Sequence, residues 1–544
     1  MKETIKRKVQ TALKDIYGKE FEVLNKASFE PPKRKEFGDV ATNIAFLLAK
    51  ELKKAPKDIA QEIAAKLSEN PEFEKVEVAG SGFINLFLSK EFYIELLKKI
   101  VNTEFYLSDI GKGEKILLEY VSANPTGPLH VGHGRGAVVG DVLSKIMEIA
   151  GYKVEREFYI NDAGRQIKLL GISVYYRMQE LAGRKLTLPE DAYRGEYIVE
   201  IAKELMLAHP ELIDMEEDKA IEIIANYAKE TLLKEIKETL SKLKVEFDRW
   251  YSEKSLYSSG KVDEVLRKLQ DKGLVYEKDG ALWLKTSLFG DDKDRVVKRS
   301  NGEYTYFASD IAYHYDKIER GYDKGIDIWG ADHHGYIPRV KAAIEALGQS
   351  ADWLEVILVQ LVKLFKHGKE VKMSKRAGNF VTLDWLIEEV GVDAVRFFFL
   401  TKRHDTPLDF DIDLAVSEKS ENPVYYVQYA HARISSILDK ASEAGLSPSE
   451  DHLGLIKDDE FDLIIKCYGL KTTLENAAVK REPHLLPYYL IDLASSFHKY
   501  YNKNRVIDND NPELSSARLY IVKAVKRVIK IGLDILNVNA PRRM

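Results

Sequence analysis

Two histidines, His130 and His133, lie three residues apart in a glycine-rich stretch, residues 130–136 (HVGHGRG). Imidazoles at that spacing can donate hydrogen bonds to phosphate oxygens and stabilise the charge that develops when a phosphate is displaced. Gly132 and the two glycines that follow it remove side chains where a polyphosphate would approach the backbone. The same pattern also fits a glycine-rich turn with two incidental histidines, since so short a motif often occurs by chance.

A second candidate group is the run 372–376 (KMSKR), in which Met373 and Ser374 separate Lys372 from Lys375. Two lysines three apart between glycines form a mobile cationic clamp, because a point charge on a flexible stem can follow a moving phosphate. Taken alone, the run fits a solvated loop equally well. Together, the two motifs predict chemistry on a phosphate chain.

The elements around the histidines predict how they are positioned. Residues 115–121 (KILLEYV) are short and apolar, which predicts a buried strand, and the helical spacing of apolar residues over 137–149 predicts a helix. The histidines would then lie at the carboxyl end of a strand, where open α/β sheets bind their ligands. The N–H groups and dipole of a helix start favour phosphate at that place.

Longer stretches around these motifs are more specific. They are ANPTGPLHVGHGR (123–135), YINDAGRQ (159–166), YFASDIAYH (306–314), WGADHHGY (329–336) and GKEVKMSKRAGNF (368–380). The pair of short motifs resembles the HIGH and KMSKS signatures of class I aminoacyl-tRNA synthetases. The flanking residues resemble the arginyl-tRNA synthetase family, and the resemblance extends along nearly the whole chain.

The resemblance implies an α/β fold in which a Rossmann-like parallel-sheet catalytic domain follows an N-terminal α/β module and precedes a C-terminal α-helical bundle. We expect a tRNA-contacting N-terminal domain at 1–110, the catalytic domain at 111–404 and an anticodon-binding helical domain at 405–544. A helical insertion, mostly structural, is expected within the catalytic domain at about 171–250.

Periodicity predicts the individual elements. Helices are expected over 40–52, from 165, and over 425–441, 460–475, 487–501 and 515–536. Strands are expected over 75–78, 83–88, 157–160, 247–252 and 327–329, with a hairpin at 274–276 and 281–284. The polar stretch 290–300 is expected to be an exposed turn, followed by aromatic residues 304–307 in a strand.

The reaction implied by the resemblance has two steps and needs no covalent enzyme nucleophile. The carboxylate of arginine attacks the α-phosphate of ATP and displaces pyrophosphate, and the 3′-terminal adenosine of a tRNA then takes the arginyl group. Catalysis is expected from His130, His133, Lys372 and Lys375. ATP, carrying its own Mg²⁺, is expected to contact residues of both motifs and a later strand end: His130, Gly132, His133, Gly330, Asp332, Lys372, Met373, Ser374 and Lys375.

The guanidinium of arginine calls for a carboxylate that can accept two hydrogen bonds. The resemblance implies that Asp310, Tyr306 and Glu119 line its pocket and that Ser122 and Asn124 orient the α-amino end. His130 and Asp332 are expected to contact arginine as well. Each residue also has a plain structural interpretation: Asp310 fits a helix N-cap, and Ser122 and Asn124 fit a turn.

Composition limits the other possibilities. The chain has 544 residues, 45% of them hydrophobic, with a formal net charge of -5 and a single cysteine, Cys467. One cysteine excludes an intramolecular disulfide and a multi-cysteine zinc site, and we expect no metal held by the protein itself. No apolar run is long enough to span a membrane. We expect a cytoplasmic monomer whose partners are arginine tRNA, L-arginine and ATP.

Local charge bears on the tRNA partner. Residues 511–544 contain seven Lys or Arg and two Asp or Glu, which is a basic surface on an otherwise acidic chain. A solvated helix face would show the same pattern.

Three alternative functions fit parts of the sequence. A nucleotidylyltransferase would share the histidine turn without needing the lysine run or the basic C-terminal region. A non-catalytic tRNA-binding relative should have lost one of the motifs. A related ligase for another amino acid would not need Asp310 and Tyr306, which favour a cationic substrate.

Overall fold

The computed structural model describes residues 2–32, 34–184, 186–371 and 381–544. Its N-terminal module packs helices against a four-stranded antiparallel sheet of order β1-β2-β4-β3. The elements of this module are α1 (Lys2–Tyr17), β1 (Phe29–Glu30), β2 (Val40–Thr42), α2 (Ile44–Leu52), α3 (Pro56–Leu67), β3 (Phe73–Ala79), β4 (Phe83–Leu88) and α4 (Lys90–Asn102).

The strands predicted over 75–78 and 83–88 are confirmed as parts of β3 and β4. The helix predicted over 40–52 is wrong at its start. Val40 and Thr42 are buried on alternate positions of β2, which pairs with β4, and the helix begins only at Ile44. The apolar Val40 fits the helical spacing of the residues that follow it. Spacing alone therefore could not show where the strand ends and the helix begins.

The central sheet confirms the Rossmann-like prediction. Its first half consists of β5 (Lys115–Glu119), α5 (Val131–Ile149), β6 (Lys153–Ile160), α6 (Arg165–Leu181), α7 (Glu196–Ala208), α8 (Glu217–Lys242) and β7 (Arg249–Ser252). Helices α7 and α8, with the end of α6, occupy most of the region 171–250, and α6 packs against both of them. The assignment of this region as an insertion stays a prediction.

The second half returns to the other side of β5. Its elements are α9 (Glu253–Ser258), α10 (Lys261–Asp271), β8 (Val275–Lys278), β9 (Ala281–Leu284), β10 (Arg295–Lys298), α11 (Tyr306–Glu319), β11 (Lys324–Gly330), α12 (Ile337–Leu347) and β12 (Leu354–Val359). The five parallel strands have the order β12-β11-β5-β6-β7. The strand order reverses between β5 and β11, and this switch point is where such sheets bind ligands.

Two predictions in the second half are wrong. Residues 295–298, expected in an exposed turn, form β10, which pairs with β9 and buries Val297. The aromatic residues expected in a strand instead begin a helix, because Tyr306 is the first residue of α11 after the N-cap Thr305. For residues 295–298, pairing with β9 decides the local structure.

The chain then passes through a small sheet into a helical bundle. These elements are β13 (Val362–Lys366), β14 (Lys369–Glu370), α13 (Leu383–Val390), α14 (Val392–Phe398), β15 (Leu408–Asp411), α15 (Ile412–Ala415), α16 (Pro423–Glu443), α17 (Phe461–Lys480), α18 (Leu485–Lys503) and α19 (Pro512–Ile535). The four long helices predicted after residue 405 are confirmed as α16 to α19.

The N-terminal module is attached to this bundle through α4. The ring of Tyr93 on α4 stacks on Phe461 of α17 with 4.2 Å between centroids. Arg527 of α19 donates to the carbonyl oxygen of Thr103 at 2.8 Å, just past the end of α4. Among the residues that the structure describes, no helix has the length and apolar character needed to cross a membrane.

Helix α5 offers a matched pair of glycines for testing this packing. A Cβ at Gly140 would lie 2.3 Å from the ring of Tyr120, which is fully buried, whereas a Cβ at Gly136 would meet nothing within 4 Å. We expect Gly140→Ala to lower the free energy of unfolding by about 1–3 kcal/mol through overpacking. Gly136→Ala should leave it unchanged or raise it by up to about 1 kcal/mol, because alanine favours a helix.

Denaturant unfolding of both variants would check this prediction. Equal effects of the two substitutions on the unfolding midpoint would show that helix propensity, and not the contact with Tyr120, decides the result.

Candidate active site

The two histidines begin helix α5. The helix starts at Val131, not at residue 137 as predicted, and His130 is its N-cap. Nδ1 of His130 accepts hydrogen bonds from the backbone N–H groups of Gly132 at 3.1 Å and His133 at 3.4 Å. Nδ1 of His133 accepts in return from the N–H of His130 at 3.3 Å, and the two rings stack with 3.6 Å between centroids. Both imidazoles therefore cap the helix reciprocally.

This capping fixes the tautomer of both rings. In a neutral imidazole one nitrogen accepts and the other carries the proton, so an Nδ1 that accepts leaves the proton on Nε2. Two Nε2–H donors then belong to the positive end of a helix dipole, as anion binding requires. The ring of His130 also lies over Gly132, where a Cβ would be only 3.0 Å from it, and this contact explains the glycine.

The chain that follows the lysine run is attached to the same turn. The N–H of Leu383 donates to the carbonyl oxygen of Leu129 at 2.8 Å, and Thr382 forms a β-bridge with His130. The side chain of Leu383 fills the space beside Gly134, so that glycine serves packing and not ligand access. Lys372, Met373, Ser374 and Lys375 lie outside the described residues, and their roles stay predictions.

The turn between β5 and α5 is held in an unusual conformation. Val121 and Ser122 have φ of 68° and 39°, a left-handed region that costs a non-glycine residue about 1–3 kcal/mol unless neighbours enforce it. The Ser122 hydroxyl donates to Glu119 at 2.8 Å and accepts from the N–H of Tyr159 at 3.1 Å. These two hydrogen bonds hold Ser122 in its left-handed conformation.

Further along the turn, other elements contribute. The amide nitrogen of Asn124 donates to Gln166 of α6 at 2.6 Å. The hydroxyl of Tyr197, on the insertion helix α7, donates to the carbonyl oxygen of Thr126 at 2.8 Å. The insertion thus contacts the turn that carries Ser122 and Asn124, and the proposed roles of those two residues in binding arginine stay predictions.

Below the turn, three carboxylates form a row across adjacent strands. Asp327 of β11 is paired in register with Glu119 of β5, which is paired with Glu157 of β6. All three are buried, and helix α11 covers the face of the sheet on which they lie. A row of buried carboxylates needs cations or protons nearby, since an uncompensated buried charge is costly.

Helix α11 supplies those cations. The fully buried ammonium of Lys317 lies 2.5 Å from Glu119 and 2.9 Å from Asp327. Arg320 donates twice to Glu157, at 2.6 and 2.9 Å. The predicted pocket residue Glu119 is therefore already paired within the protein, with Lys317 and with Ser122.

Asp310 lies two turns before Lys317 on the same helix and has no cationic partner among the described residues. It accepts a hydrogen bond from the hydroxyl of Tyr336, and burial raises the pKa of its carboxyl group. It is not the N-cap considered from the sequence, because that position is Thr305. Tyr306, one turn earlier, is 49% exposed, so its ring is accessible to a ligand.

Sequence reasoning missed Glu253, the first residue of α9. Its carboxyl group is buried, one oxygen has no hydrogen-bond partner among the described residues, and burial raises its pKa to about 7, with further raising by nearby Asp310. The buried hydroxyl of Tyr159 lies beside it and partly offsets this rise of its pKa. The available signal was an acidic residue directly after a parallel strand, at the edge where ligands bind.

Gly330 and Asp332 lie at the carboxyl end of β11, as predicted. A short 3₁₀ helix, Ala331–Tyr336, follows the strand, and the Asp332 side chain is 82% exposed. No group of three or more His, Cys, Asp or Glu within the described residues is arranged to hold a metal ion.

Comparison with known proteins agrees with this architecture. Three family models match the chain: the arginyl tRNA synthetase N-terminal domain at 3–88, the catalytic domain of class I (R) tRNA synthetases at 95–407 and the DALR anticodon binding domain at 427–544. An arginine–tRNA ligase from Aquifex aeolicus is 52% identical, with all of both chains covered. The chain belongs to the arginyl-tRNA synthetase family.

Other members of that family give the same result. The arginine–tRNA ligase of Bacillus subtilis is 47% identical over 100% of this chain and 99% of its own. The solved structure of Thermus thermophilus arginyl-tRNA synthetase matches with a TM-score of 0.73 and 25% identity over both full chains. A methionyl-tRNA synthetase from Mycobacterium tuberculosis, at 12% identity and a TM-score of 0.57 over 78% of this chain and 91% of its own, shares the fold.

The capping role of His130 can be separated from any other role of its ring. His130→Ala removes the acceptor that caps α5 and should lower the free energy of unfolding by about 0.5–2 kcal/mol. His130→Asn retains a side chain that caps well and should stay within about 0.5 kcal/mol of the wild type.

Denaturant unfolding of the two variants would test this expectation. If the alanine and asparagine variants were equally stable, the Nδ1 hydrogen bonds would not stabilise the helix start.

Proposed function

We propose that this protein is an arginine–tRNA ligase that forms arginyl-adenylate from arginine and ATP and then transfers arginine to the 3′ end of its tRNA. The full-length identity of about half with arginine–tRNA ligases carries this proposal. A nucleotidylyltransferase or a ligase for another amino acid is disfavoured, because it would not match the N-terminal, catalytic and anticodon-binding models of the arginyl-tRNA synthetase family together.

In the first step the phosphates of ATP lie at the start of α5. The Nε2–H groups of His130 and His133 donate to phosphate oxygens, and Gly132 leaves room for the His130 ring. Lys372 and Lys375, with Met373 and Ser374 between them, close on the pyrophosphate. ATP arrives as its Mg²⁺ complex, and Gly330 and Asp332 bind its ribose at the end of β11.

Within the arginine pocket, we propose that the guanidinium lies between the carboxylates of Asp310 and Glu253. Burial raises the pKa of both carboxyl groups, and Asp310 raises that of Glu253 further. A cation between them would therefore stabilise both ionised carboxylates. The exposed ring of Tyr306 offers a face for the planar guanidinium.

At the other end of the substrate, Ser122 and Asn124 orient the α-amino group, and His130 and Asp332 contact the carboxylate side. Glu119 supports the pocket from below. Lysine binds less well because its single ammonium leaves hydrogen-bonding groups of the pocket unpaired, at about 1–3 kcal/mol for each group.

For the tRNA partner, a basic groove on the helical bundle supports binding. The groove, about 540 Å³ in volume, lies between α16 and α19, and its floor includes Leu438 and Leu446. One wall carries four cations of α19, Lys523, Lys526, Arg527 and Lys530. Cations over an apolar floor suit phosphates and sugars of a nucleic acid strand. We further propose that the enzyme works as a cytoplasmic monomer.

Arginine-dependent exchange between ATP and pyrophosphate, measured with and without tRNA, tests the proposed reaction. We expect exchange with arginine and none with lysine. Exchange that needs tRNA would mean that bound RNA completes the site, and exchange without it would mean that the site is complete in the free enzyme. A folded protein that binds tRNA but never supports exchange would favour the non-catalytic relative considered above.

The pocket carboxylates predict a pH dependence. In the free protein burial raises the pKa of Asp310, and that of Glu253 to about 7. A bound guanidinium lowers both, so arginine must displace a proton when the pH lies below these values. Affinity for arginine should therefore rise as the pH increases to about 7 and level off above it.

Calorimetric titration with arginine between about pH 6 and pH 8 measures this dependence. Glu253→Gln removes the carboxyl group whose pKa is raised to about 7 and should therefore reduce the pH dependence, whereas Asp310→Asn should weaken binding by about 2–5 kcal/mol. An affinity in the wild type that does not change with pH would contradict the proposed place of the guanidinium.

A further inference from the structure

We propose that Lys317 is a positioning residue for arginine recognition: by bridging Glu119 on β5 and Asp327 on β11, it fixes where α11 presents Asp310 at the switch point of the sheet. This inference rests on the proposed function, since it assigns to Asp310 the binding of the guanidinium. It adds a residue that lies below the pocket and acts through its neighbours.

The bridge joins the two halves of the nucleotide-binding fold. Strand β5 begins the first half and β11 belongs to the second, and the two are neighbours at the place where the strand order reverses. Glu119 and Asp327 face each other in register, and the Lys317 ammonium lies within 3 Å of a carboxylate oxygen of each. One cation thus holds together two strands and the helix that covers them.

The position of α11 follows from this bridge. Lys317 is seven residues after Asp310, so the two side chains lie on the same face of the helix, about 10 Å apart along its axis. Between them, His314 lies 3.2 Å from Asp327 through Nε2 and 2.8 Å from the carbonyl oxygen of Asp310 through Nδ1. A rotation or a shift of α11 would therefore break the bridge and displace Asp310 at the same time.

The bridge also supports the other side of the pocket. The second oxygen of Glu119 accepts the hydroxyl of Ser122, which in turn accepts from the backbone of Tyr159. Ser122 lies in the left-handed part of the turn, so its conformation depends on these partners. The ammonium of Lys317 holds Glu119 in place, and through it the turn that precedes α5.

Charge and shape both matter at this position. Two carboxylates share one ammonium, and Lys317 also lies 4.3 Å from the centroid of the Tyr313 ring. Methionine would fill a similar volume and leave both carboxylates without their cation. Arginine would keep the charge but would place a larger planar group there, and α11 would have to shift to admit it.

The test compares Lys317→Met and Lys317→Arg with the control Lys324→Met. Lys324 lies on β11, is partly exposed, and pairs with Glu355 at 3.0 Å, outside the pocket. Michaelis constants for arginine and for ATP would be measured in tRNA charging, and thermal unfolding would report folding separately.

We expect Lys317→Met to raise the KM for arginine by about tenfold or more, because a displacement of Asp310 by about 1 Å is enough to weaken binding by that factor. The KM for ATP should change by less than about twofold. Lys317→Arg should give a smaller rise of the same kind, and Lys324→Met should match the wild type. A purely structural role would instead lower the melting temperature and leave the KM for arginine of the folded protein unchanged.

Two outcomes would overturn the proposal. One is a folded Lys317→Met variant with the wild-type KM for arginine. The other, should that variant not fold, is a folded Lys317→Arg variant whose KM values for arginine and ATP both equal those of the wild type. Failure of the wild type itself to charge tRNA with arginine would contradict the proposed function, so the two failures are distinguishable.

Discussion

A single buried ammonium group, that of Lys317, lies between carboxylates of two neighbouring parallel strands and ties the covering helix to both. The sheet presents three carboxylates in one row, Asp327, Glu119 and Glu157, and such a row needs nearby cations or protons to compensate its charge. Removing one partner from a buried pair of this kind typically costs about 3–5 kcal/mol. The position of α11, and with it that of Asp310, depends on this charge balance.

The start of α5 shows a second dependence, between folding and chemistry. The same two imidazoles satisfy backbone N–H groups of the helix and, as a result, hold their protons on Nε2. An aspartate, which also caps helices well, can only accept hydrogen bonds and would leave no donor for a phosphate. Histidine can both cap the helix and offer an Nε2–H donor, as the proposed binding of phosphate requires.

Distant parts of the chain also meet near the site. Tyr197 of the insertion binds the turn before α5, and Lys242 at the end of α8 pairs with Asp384 on α13 at 2.7 Å. Arg396 is fully buried and donates to the carbonyl oxygens of Leu243 and Leu536, which joins the end of the insertion to the end of the bundle. The insertion and the bundle therefore brace the nucleotide-binding fold in addition to any contact with RNA.

Much of the architecture could be predicted from local pattern. The strands of the parallel sheet, the helices between β6 and β7 and the four bundle helices follow from apolar spacing, because burial of one face imposes a period on the sequence. The motif around His130 and the acidic Asp310 were also visible, since family-like stretches surround them. The start of α5 was placed six residues too late, because glycines and histidines carry no apolar period.

The sequence by itself determined the strands of the parallel sheet, the bundle helices, the histidine pair and the family. Only the tertiary structure decided that Glu119 is paired with Lys317, 198 residues away, that Glu253 lies buried near Asp310, and that residues 295–298 form a strand. Charge pairs between distant residues leave no periodic trace in a sequence, and a strand with few apolar residues is specified by its partner. These are the contacts that set the electrostatics of the pocket.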